Sequence, residues 1–190
     1  MIAKIREKTK SIPIWVEMVP PTEEDIKELV DTGATSFGFN IEVFDEKLRK
    51  QICPGKSAIS IERYIERGKY ANELLGGNKV GSTLICGIAP IETIKRGVDE
   101  LTKNGIHPCV LAFRPSEGSA FEKVEECDAE SFYECSRYAT ERMLEHKLDI
   151  FQNEGCLLCE YCTIMHDLTR ELLKKNRETK SLPYENEGAR

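Results

Sequence analysis

The sequence lacks any long hydrophobic run and any excess of basic residues. No stretch of the chain approaches the roughly 18 consecutive apolar residues that a membrane-spanning helix requires. The first ten residues, MIAKIREKTK, carry charges where a secretory signal needs an apolar segment. Lysines alternate with glutamates and the formal net charge is -6, so the sequence has no clustered basic patch for binding nucleic acid. These absences predict a cytoplasmic protein that binds neither membranes nor nucleic acid.

Cysteine, in contrast, is plentiful, with eight residues in the chain. Disulfides do not persist in a reducing compartment, so this number favours metal, cluster or redox chemistry over a covalent framework. Cys86 and Cys109 lie inside the apolar runs TLICGI and HPCVLAF, where a small thiol is an ordinary core residue. We therefore expect these two cysteines to be buried in the core.

The segment EGCLLCEYCTIMHDL, residues 154–168, places three cysteines at even steps of three. This spacing is that of a ferredoxin run, with a histidine where the fourth cysteine would stand. A zinc site with three cysteines and one histidine fits the same residues, and so does a packed group of thiols without metal. Cys127 and Cys135 are alternative fourth ligands. The predicted metal ligands are Cys156, Cys159, Cys162 and His166.

The remainder of the chain alternates between strand-like and helix-like patterns. Strands are predicted over residues 12–19, 35–44, 79–88 and 107–115. Helices are predicted over 22–33, 45–52, 60–75, 91–105 and 128–150. Strict alternation indicates right-handed βαβ units and a parallel sheet. The predicted fold is α/β, a partial (β/α) barrel over residues 1–150 with about four parallel strands and a C-terminal helix, followed by a cysteine-rich tail over 151–190.

Ligand-binding residues of such a sheet gather at the carboxyl ends of its strands. Those ends are predicted to carry Glu17, Asn40, Glu42, Gly87 and Arg114. The segment CPGKS ends like a nucleotide-phosphate loop, but its earlier glycine position is Lys50, so triphosphate binding is not expected.

Three segments together resemble the later strands of a radical S-adenosylmethionine enzyme, nearest the biotin synthase branch. They are VEMVPPTEEDIKELVDTGATSFGFNIEVFDEKLRKQICPGKS, GSTLICGIAPIE and PCVLAFRPSEGS. The resemblance runs from about Ile12 to Ser119 and implies a (β/α) barrel that binds S-adenosylmethionine. It also favours a [4Fe-4S] cluster over zinc for the tail. It implies cofactor contacts for the side chains of Asn40 and Glu42 and the backbone of Ile85 and Gly87, and a substrate-carboxylate contact for Arg114. Glu17, at the first strand end, is predicted to join the same cofactor site.

The cluster motif that cleaves the cofactor in this family, Cys-x3-Cys-x2-Cys, does not occur in the sequence. The chain alone is therefore not expected to generate the 5'-deoxyadenosyl radical. One hypothesis is that a protein subunit or a second copy completes the barrel and that the assembly acts as an enzyme on a small molecule. The alternative is a non-catalytic iron-sulfur or zinc-binding protein for assembly or electron transfer. A truncated gene product is a third hypothesis.

Overall fold

Parallel strands form the sheet of this computed structural model, which describes residues 1–152, 154–159 and 161–180. Within those residues the four strands are β1 (Trp15–Glu17), β2 (Ser36–Gly38), β3 (Val80–Cys86) and β4 (His107–Ala112). Their order in the sheet is β1-β2-β3-β4, and every neighbouring pair is parallel. Since helices connect successive strands, the predicted α/β fold with a partial (β/α) barrel is confirmed.

Seven helices occur in the described chain. They are α1 (Ile2–Lys8), α2 (Glu23–Thr32), α3 (Glu46–Ile52), α4 (Ile61–Leu75), α5 (Ile91–Lys103), α6 (Ala129–Glu145) and α7 (Met165–Lys180). Short 3-10 turns occur at Lys56–Ala58, Ile150–Gln152 and Gly155–Leu157. Among the described residues, no helix is long and apolar enough to cross a membrane. Helices α1 and α7 were not predicted.

Side-chain caps fix where the predicted helices begin. The Thr22 hydroxyl accepts a hydrogen bond from the backbone N–H of Asp25 at 3.2 Å, which starts α2. The Ser60 hydroxyl accepts from the N–H of Arg63 at 3.2 Å, which starts α4. Because such oxygens satisfy N–H groups that have no partner inside the helix, the two predicted starts are explained and confirmed. Helix α2 ends at Gly33, with a left-handed φ of 114°.

Helix α6 ends earlier than predicted. The prediction extended it to Ile150, but the helix stops at Glu145 and Lys147 takes a left-handed φ of 58°. The N–H of Leu148 then bonds the carbonyl of Met143 at 2.9 Å. This reversal turns the chain so that Leu148 and Ile150 enter the core, which the helical repeat alone does not reveal.

The two sides of the sheet pack against different parts of the chain. On the helix-facing side, Val80 lies opposite Gly68 of α4 and Leu84 lies opposite Gly97 of α5. Gly81, between them in sequence, points to the other side, because side chains alternate along a strand. The other side, here called the tail-facing side, is covered by the segment that follows α6. Its sheet positions include Trp15, Glu17, Ser36, Gly38, Gly81, Thr83 and Cys109.

Candidate functional site

Asn40 follows β2 and bonds residues of both neighbouring strands, β1 and β3. Its Nδ2 donates a hydrogen bond to Glu17 Oε1 at 2.9 Å, at the end of β1. Its Oδ1 accepts from the backbone N–H of Thr83 at 3.1 Å, within β3. Because the amide uses both its donor and its acceptor, its orientation is fixed. Two of the residues singled out in the sequence, Glu17 and Asn40, are thus in direct contact.

Glu42 follows in an unusual backbone conformation. Its φ is 67°, in the left-handed region that non-glycine residues seldom occupy. Ladder hydrogen bonds hold it there: its N–H donates to Thr83 O at 2.9 Å, and its carbonyl accepts from Ile85 N–H at 2.8 Å. Its carboxylate pairs with the ammonium group of Lys56. Strained residues of this kind cluster at binding and catalytic sites, since the surrounding structure has to impose the conformation.

Arg49 stabilises the backbone around Glu42 and Lys56 through hydrogen bonds, and the sequence analysis did not identify it. Its side chain is completely buried and donates to three backbone carbonyls: Nε to Ile41 at 3.1 Å, Nη1 to Ile59 at 2.7 Å and Nη2 to Lys56 at 2.9 Å. Its guanidinium carbon lies 4.6 Å from the centre of the Tyr64 ring. The arginine therefore joins the backbone just before Glu42 to the turn that carries Lys56.

Gly87 follows β3 with φ 98°, and its missing side chain leaves room for another part of the chain. A Cβ at this position would lie 2.7 Å from Cys127 Cβ and 2.9 Å from Cys127 Cα. The N–H of Cys127 bonds the carbonyl of Phe113 at 3.2 Å, which holds the crossing segment in place. The glycine thus has a packing role, and its role beside adenine stays a prediction.

Cys86, Cys127 and Cys135 form a group of thiols next to this crossing segment. Cys86 Sγ is 3.5 Å from Cys135 Sγ, and both thiols are buried. That hydrogen bond raises the pKa of Cys86 and lowers the pKa of Cys135. Burial, followed by a hydrogen bond with Cys86, raises the pKa of Cys127 to about 12. The prediction that Cys86 is a core thiol is confirmed, and Cys135 is buried in the same core.

Arg114 lies beside a cavity of 670 Å³ at the carboxyl end of β4. Glu125, Glu126 and Asp128 line the same cavity, together with Phe113. Three acidic groups beside one guanidinium do not favour an anion on charge alone. The substrate role of Arg114 remains a prediction.

The segment after α6 lies directly on the tail-facing side of the sheet. The Glu154 carboxylate accepts hydrogen bonds from the hydroxyls of Thr35 and Ser36, the latter at 3.0 Å. A Cβ on Gly155 would lie 2.5 Å from Trp15 Cβ. The side chain of Leu157 sits over Gly81, where an added Cβ would be 2.4 Å from a Leu157 methyl group. Both contacts are possible only because glycine lacks a side chain.

This docking brings the cysteines of the tail to Cys109 of β4. Burial, and then the charges of Cys156, Cys162, Cys159 and Glu17, raise the pKa of the Cys109 thiol to about 12. Burial, followed by the charges of Cys159, Glu17 and Cys162, also raises the pKa of Cys156. Cys109 and Cys156 therefore lie within electrostatic range of the other two tail cysteines and of Glu17. In the described part of the chain, no three histidine, cysteine or acidic side chains are close enough together to hold a metal ion.

His166, the predicted fourth ligand, lies in the first turn of α7. Its ring is 1% exposed and lies 5.7 Å from the centre of the Phe151 ring, at an interplanar angle of 60°. Helix α7 packs against α6. His166 is thus a buried ring in contact with Phe151, and its role as a ligand stays a prediction.

The chain is similar to the bacteriochlorophyllide c C-7(1)-hydroxylase of Chlorobaculum limnaeum. The two are 26% identical over 157 residues, which cover 77% of this chain and 39% of the hydroxylase. The chain thus spans well under half the length of this relative. No protein-family model matches the chain. The similarity supports a distant relationship to radical S-adenosylmethionine enzymes, and it does not distinguish the biotin synthase branch.

Proposed function

We propose that this chain is a radical S-adenosylmethionine-related iron-sulfur protein. A [4Fe-4S] cluster would bind to Cys156, Cys159 and Cys162, and S-adenosylmethionine would bind where the strands end. The observation that carries this proposal is the position of Glu17. Its carboxylate accepts from Asn40, and Gly155, which precedes Cys156, packs against Trp15, two residues before Glu17 on the same face of β1. On this proposal the cofactor site and the cluster adjoin each other.

The side chains at the strand ends suit the polar parts of the cofactor. Glu17 and Glu42 supply carboxylates that can accept hydrogen bonds from an amino group or from ribose hydroxyls. Asn40 holds Glu17 in place, and Lys56 holds Glu42. The backbone near Ile85 and Gly87 would lie beside adenine. The resemblance to the family, supported at a distance by the hydroxylase, makes S-adenosylmethionine the ligand of choice.

Radical chemistry would also require a cluster held by Cys-x3-Cys-x2-Cys, a motif absent from these residues. We propose that a partner subunit or a second copy supplies it. The described sheet supports this arrangement, because β1 and β4 are its outer strands and an open edge can pair with further strands. Such an assembly would act on a small molecule.

Changing Cys156, Cys159 and Cys162 together to serine is expected to abolish iron binding. In this experiment the chain is purified without oxygen and reconstituted with iron and sulfide. The unchanged chain should hold about four iron and four sulfide and absorb broadly in the visible range. Cys53→Ser serves as the control, because Cys53 lies at the C-terminal end of α3 and is not one of the tail cysteines. It should retain the metal.

The same measurement separates the alternatives. About one zinc per chain with no sulfide would indicate a structural zinc site in a non-catalytic protein. If the unchanged chain takes up neither iron nor zinc, the proposed cluster is wrong. If the triple serine variant binds as much iron as the unchanged chain, then other residues are the ligands.

Asn40→Ala is expected to weaken S-adenosylmethionine binding at least about tenfold, since it frees the Glu17 carboxylate from its fixed position. Titration calorimetry measures the affinity, and light scattering on the same samples gives the oligomeric state. Asn104→Ala is the control, because Asn104 bonds only the Glu100 carbonyl among its described side-chain contacts. Absence of binding by the unchanged chain, alone and with a partner, would contradict the cofactor assignment. Tight binding by a monomer would contradict the need for a second copy.

A further inference from the structure

Cys86 and Cys135 are in direct contact, although 49 positions separate them in the chain. Cys86 is the last residue of β3 and is 1% exposed, and Cys135 lies in α6 and is 0% exposed. Their sulfur atoms are 3.5 Å apart. A disulfide bond measures about 2.05 Å, so the sulfurs need to approach by about a further 1.5 Å, which modest rotations of both side chains supply. The core therefore contains two thiols that are placed for a disulfide.

The surrounding structure holds both sulfurs in this position. Cys86 Sγ also lies 3.6 Å from the carbonyl oxygen of Ser131, one turn before Cys135 on α6. Helix α6 packs against β3 and β4, and the Asp128 carboxylate caps its start by accepting from the N–H of Ser131 at 2.8 Å. The contact between the sulfurs thus joins a strand end to a helix that is anchored by other bonds as well.

A third thiol connects this pair to the solvent. Cys127 is half-buried and lines the 670 Å³ cavity at the carboxyl end of β4. Its backbone packs on Gly87, the residue that follows Cys86, where an added Cβ would lie 2.9 Å from Cys127 Cα. The thiols of Cys86 and Cys127 also share a hydrogen bond. A small oxidant in the cavity can therefore reach Cys127, whereas Cys86 and Cys135 are shielded behind it.

We propose that Cys86 and Cys135 form a reversible disulfide when a peroxide oxidises the chain, and that Cys127 is the thiol at which oxidation begins. This inference does not depend on binding of metal or of S-adenosylmethionine. It gives a chemical role to three cysteines that lie outside the tail. In a reducing compartment small thiols would reverse the disulfide, so it would form only under oxidising conditions.

The reaction consumes one peroxide and passes through the three thiols in turn. The Cys127 sulfur attacks one oxygen of hydrogen peroxide, so that an S–O bond forms, the O–O bond breaks and water leaves. The Cys86 sulfur then displaces hydroxide from the Cys127 sulfenic acid, which forms an S–S bond and releases a second water. Finally, the Cys135 sulfur displaces Cys127 from Cys86 by thiol–disulfide exchange. In total, two thiols and one peroxide become one disulfide and two waters.

The ionisation of Cys127 makes this reaction slow and favours its last step. Burial, followed by the hydrogen bond with Cys86, raises the pKa of Cys127 to about 12. Little of this thiol is ionised at neutral pH, so its attack on peroxide is slow. When Cys135 displaces it, Cys127 takes up a proton at once, which completes the exchange.

The disulfide would also change the chain around it. Cys86 directly precedes Gly87, so the bond would fix the end of β3 to α6 beside the strand-end site. A cross-link between residues far apart in the sequence restricts the unfolded chain, so oxidation should stabilise the fold.

The decisive experiment treats the full, unchanged chain with hydrogen peroxide, blocks the remaining thiols and maps the peptides by mass spectrometry without reduction. A peptide with Cys86 linked to Cys135 is expected, and dithiothreitol should separate it. The urea midpoint of the oxidised chain should rise by about 1 M, and this rise should be absent in Cys135→Ser. If Cys86 and Cys135 both stay reduced while other cysteines are oxidised, or if no cysteine reacts, the inference is wrong.

Variants separate the roles of the three thiols. Cys127→Ser should slow formation of the disulfide at least about tenfold, because the oxidant then has no thiol in the cavity. Cys135→Ser should stop the reaction at a disulfide between Cys86 and Cys127. Cys109→Ser is the matched control, because it changes a buried thiol on β4 outside this group, and it should react like the unchanged chain. Equal rates in Cys127→Ser and in the control would contradict the role of Cys127.

Discussion

Arg49→Ala is expected to lower the free energy of unfolding by about 3–5 kcal/mol. The substitution leaves the carbonyls of Ile41, Lys56 and Ile59 without their donor, and each buried acceptor left unpaired is costly. It also opens a cavity beside the Tyr64 ring, which now packs against the guanidinium. Chemical denaturation measures the loss.

Two further variants separate the geometry of Arg49 from its charge. Arg49→Lys keeps the charge, but one ammonium group cannot reach three carbonyls arranged around a planar fork, so most of the loss should persist. Arg63→Ala removes an exposed arginine that pairs with Glu66 at 2.9 Å, and it should change stability by no more than about 0.5 kcal/mol. If Arg49→Lys matched the unchanged chain, the three-carbonyl explanation would be wrong.

The same variant has a functional consequence. Arg49 bonds the carbonyl of Ile41, immediately before Glu42, and the carbonyl of Lys56, which pairs with Glu42. Arg49→Lys should therefore weaken S-adenosylmethionine binding even under conditions where the chain remains folded. Arg49 is a positioning residue, since it acts on the candidate site through these two backbone groups.

Local signals were enough to predict the layers of the fold. Alternating apolar patterns predicted the parallel sheet, and the hydroxyls of Thr22 and Ser60 marked true helix starts. These signals depend on residues a few positions apart, so a single sequence contains them. The predicted strands were longer than β1 and β2, because apolar residues continue into loops that also pack in the core.

The structure of the tail could not be predicted in the same way. Glu154 bonds Ser36, which lies 118 residues earlier in the chain, and nothing local in either segment marks the contact. Arg49 was missed for a related reason: in a short charged helix it looks like any solvated residue, yet its side chain is fully buried. Burial of a charged group is decided by distant carbonyls, which the helical pattern does not contain.

Cys109 shows the limit most clearly. The apolar run around it predicted a buried thiol, and its burial is confirmed. A core cysteine and a metal-ligating cysteine look alike in such a run, because the same residue serves both roles and its distant neighbours decide between them. Its place on the side of the sheet that the tail covers depends on the register of β3 and β4 and on the docking of Leu157 on Gly81, which no local pattern contains.

Gly155→Ala is expected to detach the tail from the sheet. An alanine Cβ would lie 2.5 Å from Trp15 Cβ and 2.3 Å from Trp15 Cγ, so the tail or the indole has to move. Residue 155 also has a φ of 60°, which disfavours alanine by itself. Gly118→Ala is the matched control, because its φ is 77° and an added Cβ would meet open space.

The difference between these two variants isolates the docking contact from the backbone cost. Gly155→Ala should destabilise the chain by about 1–3 kcal/mol more than Gly118→Ala. Trp15 is the single tryptophan of the chain, so its fluorescence should shift toward longer wavelength as the tail leaves it. Metal uptake should fall in parallel, since Cys156 follows Gly155 and would no longer be held over the sheet. Equal stability and equal fluorescence in both variants would mean that the tail does not dock here.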